Sequence, residues 1–159
     1  MTSLVPLGLV VVLAVAAQPD SVRVEPSFGV VGNFGTWTVT YEVGSSGVKQ
    51  GGSIRVQLPD TWHASEHSSA NRLQATDPAD DHYVSAHTSG SDVQLRTEVE
   101  GESPNFLVKT DRRSIDDRQE RYVFVVRVSV EEGDLEAGDT VSVVYGDTSG
   151  GSRGMRTAI

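Results

Sequence analysis

The sequence contains no cysteine, so disulfides, a lipidated-cysteine membrane anchor and thiol chemistry are all excluded. Lysine is almost missing as well, since Lys49 and Lys109 are the only two. The net charge is −9 at pH 7, and an acidic chain repels nucleic acid and anionic lipid. The composition therefore predicts no nucleic-acid partner and a domain that depends on packing alone.

Strict alternation of apolar and polar residues marks the segment Thr36 to Val43. Trp37, Val39, Tyr41 and Val43 occupy one side of this period-two pattern, and threonine or glutamate occupies the other. Such a pattern is typical of a half-buried β-strand, and aromatic and β-branched side chains suit its pleated surface. This segment is the predicted centre of the fold.

Further short runs of the same kind follow along the chain, separated by glycine and proline. They predict an all-β protein, an immunoglobulin-like antiparallel β-sandwich of about seven strands. The runs are Val22–Val24, Ile54–Leu58, Tyr83–Ala86, Val93–Val99, Phe106–Val108, Tyr122–Val130 and Thr140–Tyr145. The predicted core residues are Trp37, Tyr41, Ile54, Val56, Phe124, Val126, Val141 and Val143.

The only long apolar run, Leu4 to Ala17, lies near the start of the chain. It is shorter than the roughly 20 residues that a membrane-spanning helix needs, so it predicts a signal peptide at 1–17 and export to the periplasm or beyond the cell. No Lys or Arg precedes the run, which leaves a mis-assigned start or a buried strand as the alternative. The predicted sandwich occupies 18–146, and a Gly-rich connector that begins a truncated segment occupies 147–159.

Three stretches resemble the amino-terminal region of a bacterial family of unknown function, namely Gly35 to Trp62, Asp77 to Gly90 and Leu135 to Arg156. The carboxy-terminal part of that family resembles the PHP-type metal-dependent hydrolases. The resemblance implies a non-catalytic accessory domain ahead of a hydrolase, and implies that this chain is a fragment. The paired His-x-His segment that begins the family's metal ligands does not occur in this sequence. No catalytic, cofactor-binding or metal-binding residue is therefore carried over to this chain.

Two groups of side chains invite a metal hypothesis, and both have a simpler interpretation. His63 and His67 follow Asp60 with a spacing that would place two imidazoles on one face of a helix, but the serine-rich surroundings favour solvated loop histidines. Asp77, Asp80 and Asp81 offer oxygen ligands for calcium, yet they lack the register of an EF-hand loop, and Asp77-Pro78 is typical of a turn.

The remaining candidates concern binding. The glycine-rich run Gly146 to Gly154 lacks the Gly-Lys-Ser/Thr of a phosphate-binding loop, which favours a flexible connector. Trp62 and Tyr83 lie near a long loop and could present an aromatic platform for glycan or protein, although Trp62 could equally plug the sandwich. A stand-alone exported binding module is thus the alternative to the accessory domain.

Overall fold

The computed structural model describes residues 4–6, 11–14, 21–30, 32–57, 73–100 and 125–156. These residues form strands and turns. Where the structure is described, it includes no helix long and apolar enough to cross a membrane. The strands are β1 (Leu4–Pro6), β2 (Val11–Ala14), β3 (Ser21–Glu25), β4 (Phe28–Val30), β5 (Phe34–Gly35), β6 (Trp37–Glu42), β7 (Ser53–Gln57), β8 (Val84–Thr88), β9 (Gln94–Glu100), β10 (Val125–Glu132), β11 (Thr140–Tyr145) and β12 (Met155–Arg156).

Two four-stranded sheets make up the sandwich, in the orders β2-β7-β10-β9 and β3-β6-β11-β8. Two-stranded pairs, β1 with β4 and β12 with β5, complete the structure. All of these pairings are antiparallel. The alternation read in the sequence appears directly as alternating burial along β6, β7, β10 and β11, because successive side chains of a strand point to opposite faces.

The core lies between the two sheets, where both inner faces contribute one continuous apolar cluster. Strands β6 and β11 supply Tyr41 and Val143 from one sheet, and β7 and β10 supply Val56 and Val128 from the other. The predicted core residues that the structure describes are all buried, namely Trp37, Tyr41, Ile54, Val56, Val126, Val141 and Val143. Phe124 lies outside the described residues.

The predicted all-β sandwich is therefore confirmed, whereas the immunoglobulin-like variant stays a prediction. The count of about seven strands is too low, because pairs such as β1 with β4 and β5 with β12 involve strands of only two or three residues. So short a segment shows no detectable period in a sequence and is recognised only by its hydrogen-bonded neighbour. The predicted strand Phe106–Val108 lies outside the described residues.

The predicted leader contributes two of the additional strands. Strand β1 pairs with β4, and β2 pairs with the outer edge of β7. For Val11–Ala14 the structure thus has the strand conformation that was the alternative to a signal peptide. Cleavage of residues 1–17 and export stay predictions.

The segment predicted as a connector, 147–159, packs against the sandwich over the part that the structure describes. Asp147 and Ser152 are buried, Met155 is 2% exposed, and β12 pairs with β5. The glycine-rich run Gly146 to Gly154 is thus an ordered loop, which contains a turn closed by the Gly151 amide donating to the Thr148 carbonyl over 3.1 Å. Gly146 has a φ of +68°, and a Cβ there would lie 2.2 Å from the backbone nitrogen of Met155, which explains why glycine is required.

Candidate functional site

Three segments distant in the sequence meet at one end of the sandwich, and we call this assembly the loop end. They are residues 28–30 with 32–36, residues 74–83 and residues 146–156. The Thr36 hydroxyl donates to the Gly146 carbonyl over 2.7 Å, and the His82 amide donates to the Gly154 carbonyl over 3.0 Å. The first bond joins the first segment to the third, and the second bond joins the second segment to the third. The three segments therefore form one connected surface.

An ion pair connects the second and third segments. The Arg153 Nε atom lies 3.1 Å and 3.0 Å from the two carboxylate oxygens of Asp81, and a terminal guanidinium nitrogen also contacts that carboxylate. The Arg153 backbone amide donates to the same side chain over 3.2 Å. These hydrogen bonds hold the pKa of the Asp81 carboxyl below its usual value. The pair is therefore formed by a carboxylate at neutral pH.

Phe34 is close to both a cation and a buried imidazole at the loop end. The Arg153 guanidinium carbon is 4.3 Å from the Phe34 ring centroid, a cation–π arrangement. The ring centroids of Phe34 and His82 are 6.2 Å apart with an interplanar angle of 57°. His82 is only 3% exposed and has a φ of 63°, in the left-handed region.

His82 is a buried ionisable group with one carboxylate and two arginines in its surroundings. Burial lowers the pKa of its imidazole, the neighbouring Asp81 carboxylate raises it, and Arg153 and Arg156 lower it. The net direction is downward, so the imidazole is neutral at pH 7. Protonation would place a buried positive charge near Arg153 and Arg156, so we expect the loop end to lose stability on acidification.

An aromatic groove of about 220 Å³ opens beside Phe34. Its lining includes Pro26, Phe28, Phe34 and Trp37. Trp37 forms the buried floor, and its indole nitrogen donates to the Phe28 carbonyl over 3.2 Å. The Phe28 side chain is 55% exposed, and the only other large hydrophobic residue that is exposed in the described structure is Val22. An exposed aromatic residue beside a groove is a common feature of binding surfaces.

Two of the three aspartates considered for calcium, Asp77 and Asp81, use their carboxylates for contacts within the protein. Asp77 accepts a hydrogen bond from the Ala79 amide over 2.9 Å, which is the turn that the sequence alternative predicted. Asp81 faces Arg153, and Asp80 donates its amide to the Asp77 carbonyl over 3.2 Å. Within the described ranges, no group of three or more acidic or histidine side chains could hold a metal ion.

A serine, a histidine and an aspartate also come together on the outer side of β8. The Ser85 hydroxyl donates to Asp147 over 2.5 Å, and His87 Nε2 lies 3.2 Å from Ser85 Oγ and 3.9 Å from Asp147 Oδ2. In a nucleophilic triad the aspartate orients the histidine, and the histidine takes the serine proton. Here the aspartate accepts the hydrogen bond of the serine hydroxyl directly, and Ser85 is 8% exposed.

The electrostatics of Asp147 agree with a role in holding the structure together. Burial raises the pKa of its carboxyl, but hydrogen bonds from Ser85 and Ser149 and the nearby His87 lower it by more, so the net direction is downward. A carboxylate with a lowered pKa is a weak base. Its geometric effect is to connect β8 to the turn that follows β11.

The sequence-predicted candidates divide into those that the structure describes and those it does not. Trp62, His63, His67 and Asp60 lie outside the described residues. Tyr83 is half-buried, and its carbonyl accepts a hydrogen bond from the Asp147 amide over 3.0 Å at the loop end. Tyr83 therefore lies at the loop end, where its backbone contributes to the framework of the site.

Sequence reasoning missed Phe28, Phe34 and Arg153. One signal was present, because two phenylalanines stand in the glycine-rich segment FGVVGNFG, outside any run of period-two alternation. An aromatic residue in a turn is often retained for contact with another surface. The pairing of Arg153 with Asp81 had no comparable signal.

Comparison with known proteins finds no match among family models, curated proteins or solved structures.

Proposed function

We propose that this chain is a non-catalytic β-sandwich accessory domain whose loop end contacts a following domain of the same protein. The observation that supports this most is the exposed Phe28 beside the aromatic groove, on a surface held by the Asp81–Arg153 pair. Protein contact surfaces concentrate aromatic residues and arginine in this way. The resemblance to the region that precedes PHP-like hydrolases suggests that the following domain is a metal-dependent hydrolase.

The course of the chain supports the same proposal. Strand β12 pairs with β5, and Arg156 Nε donates to the Gly32 carbonyl over 2.9 Å at the margin of the groove. Any residues that follow Arg156 therefore begin at the loop end. A domain attached there needs no long linker to reach Phe28.

The experiment begins with reading the gene beyond the Ile159 codon. If a His-x-His-bearing domain follows, the longer protein and the 159-residue chain are compared by amide hydrogen exchange. We expect slower exchange over residues 28–36 in the longer protein, because a docked domain covers the groove. Replacement Phe28→Ser should remove that slowing, while Val22→Ser, which changes the other exposed hydrophobic residue, should leave it intact.

A stand-alone exported module that binds glycan or protein is the second candidate. The aromatic lining of the groove favours it, since sugars and peptides both stack on aromatic rings. A stop codon directly after Ile159 would refute the accessory domain and leave this candidate. Equal exchange over 28–36 in both lengths would instead refute the loop end as the contact surface.

A further inference from the structure

Strand β3 forms an open edge of the second sheet. It pairs with β6 on one side, and the structure describes no strand on its other side. The side chains along β3 are exposed apart from Val24, which is half-buried. Val22 is 37% exposed, and in the described structure it is one of only two large hydrophobic residues with an exposed side chain. An open edge of this kind is a template for pairing with another strand.

The hydrogen bonds of β6 show which of its residues bond to β3. The Val43 amide, directly after β6, donates to the Asp139 carbonyl over 2.8 Å, so Val43 points toward β11. Successive residues of an antiparallel strand direct their N–H and C=O groups to opposite sides. Val39 and Tyr41 therefore also bond to β11, and Thr40 between them bonds to β3.

The register carries this alternation over to β3. Val22 and Val24 lie opposite the two β6 residues that bond to β11. The N–H and C=O groups of Val22 and Val24 therefore point away from β6, toward the open edge. Arg23 and Glu25 bond to β6 instead, and their side chains lie on the outer face of the sheet, opposite two threonines of β6.

The charges on the outer face of β3 are complementary to themselves. Arg23 and Glu25 are 69% and 66% exposed, and 3.5 Å separates Arg23 Nε from Glu25 Oε1. If two copies of β3 pair antiparallel with Val24 at the centre, Arg23 of each copy lies opposite Glu25 of the other. A centre at Arg23 would instead set two arginines opposite each other, which is destabilising. A centre at Val22 would pair no opposite charges within β3.

Strand β9, at an edge of the first sheet, has the same spacing of charges but uses them differently. Arg96 contacts Glu98 and also lies 3.3 Å from Glu131 of β10. The charges of β9 are thus partly satisfied inside their own sheet. The β6 residues opposite Arg23 and Glu25 are threonines, which leaves the charges of β3 available for another chain.

We propose that β3 is the contact surface of a weak homodimer, in which the β3 strands of two copies pair antiparallel about a two-fold axis at Val24. Each Val24 exchanges both of its backbone hydrogen bonds with Val24 of the other copy. Arg23 and Glu25 form one ion pair on each side of the axis, because a two-fold axis lets one edge fit itself. An edge of five residues gives a small interface, so the dimer depends on protein concentration.

The first test changes the charges of the full chain and measures the dimer fraction by sedimentation velocity over a concentration series. Arg23→Glu sets like charges opposite each other on both sides of the axis, and so does Glu25→Arg. We expect the wild type to dimerise and each variant alone to stay monomeric. An equimolar mixture of the two variants has opposite charges in both pairs, so dimers should return on mixing.

Arg96→Glu on β9 is the matched control and should leave the wild-type dimer intact. A wild type that stays monomeric at the highest concentration that remains in solution would overturn the proposal. So would a mixture of Arg23→Glu and Glu25→Arg that does not dimerise. Loss of the dimer in Arg96→Glu but not in Arg23→Glu would place the contact on β9 and likewise refute β3.

The second test determines the register by crosslinking, which the absence of cysteine makes specific. Positions 23 and 25 of the two copies form a non-hydrogen-bonded pair, whose Cα atoms lie about 4.5 Å apart, within the range of a disulfide. On mild oxidation, a mixture of the Arg23→Cys and Glu25→Cys chains should give the mixed disulfide, and the mixed dimer retains one ion pair. Intact mass distinguishes it from the two homodimers. Preferential crosslinking of Arg23→Cys with itself would refute the register, and equal rates for all combinations would refute the contact.

Discussion

The two ends of the sandwich are closed by different chemistry. At the end opposite the loop end, which we call the hairpin end, residues 43–52 and 133–139 meet through backbone hydrogen bonds. Val48 and Leu135 exchange amide-to-carbonyl bonds of 2.8 and 2.9 Å, and Leu135 is 0% exposed. The hairpin end also has an exposed ion pair between Lys49 and Asp134. The loop end adds to its own backbone hydrogen bonds an ion pair, a cation–π contact and a buried histidine.

The difference separates a structural closure from a candidate binding surface. At the hairpin end the backbone bonds and the aliphatic Leu135 side chain do not titrate, and residues 43–52 and 133–139 include no aromatic residue. The pKa of the Asp134 carboxyl is lowered there, so its contribution to stability is lost only below its ordinary value of 3.8. The loop end has Phe28 exposed, Arg153 accessible and a buried His82 whose imidazole pKa is lowered from its ordinary value. We therefore expect substitutions at the hairpin end to affect global stability alone, and substitutions at the loop end to affect contact and pH response as well.

The largest effect is expected at the hairpin end. Replacement Leu135→Ala removes a fully buried side chain and leaves a cavity, so it should lower the free energy of unfolding by about 2–5 kcal/mol. Chemical denaturation of the wild type and the variant measures this directly. An unchanged denaturation midpoint would mean that Leu135 does not close this end of the core.

A matched pair of glycine substitutions compares the two ends. Both Gly138 and Gly146 have positive φ, so alanine costs about 1–2 kcal/mol of backbone strain at each. A Cβ on Gly138 meets nothing within 4 Å, whereas on Gly146 it would lie 2.5 Å from the Gly35 carbonyl oxygen. Gly146→Ala should therefore destabilise more than Gly138→Ala in thermal denaturation. Equal losses would show that the loop end can shift to make room.

The pH dependence of local stability should also differ between the two ends. Because the pKa of His82 is lower in the folded protein than its ordinary value of 6.5, the unfolded state binds more protons. The loop end is then fully stable above pH 6.5 and loses stability as the pH falls below it. Exchange of the His82 amide, corrected for intrinsic rates, should rise on acidification before that of Val48 at the hairpin end.

Two variants test the origin of that response. Asparagine tolerates the left-handed backbone of position 82, so His82→Asn should abolish the rise near pH 6.5. Substitution His87→Asn changes an exposed histidine outside the loop end and should leave the response in place. The lowered pKa of Asp81 has the same sign, but its contribution is lost only below the ordinary value of 3.8.

The smallest effect is expected from exchanging the basic residues. Arg153 uses its planar guanidinium for two carboxylate oxygens and the Phe34 ring, which lysine cannot reproduce. Lys49 at the hairpin end acts as a point charge between Asp134 and Glu136, which arginine can replace. Arg153→Lys should thus lower Tm slightly and Lys49→Arg should not. The reverse order in calorimetry would contradict the roles given to both residues.

Much of the fold could be predicted from local pattern. The alternation from Trp37 to Val43 and from Thr140 to Tyr145 records which side chains face the core, and those strands are found where predicted. The longest apolar run, predicted at Tyr122–Val130, begins outside the described residues, and its described part continues to Glu132 rather than ending at Val130, because strand ends depend on the partner. The turn at Asp77-Pro78 could likewise be predicted, since its hydrogen bond joins residues only two positions apart.

The loop end was not predictable in this way. Phe34, Asp81 and Arg153 are separated by tens of residues, and each alone is unremarkable in a turn. Their association depends on the order of the strands that precede and follow them. The same applies to Asp147, whose partner Ser85 belongs to a neighbouring strand.

By itself the sequence determined that this chain forms β-strands and which side of each strand is buried, because a period of two is a property of neighbouring residues. Tertiary structure alone decided which strands pair, where the ends close and which charged and aromatic side chains meet there. The physical reason is that burial follows from the polarity of each residue, whereas pairing between distant segments is selected by the free energy of the whole packed arrangement.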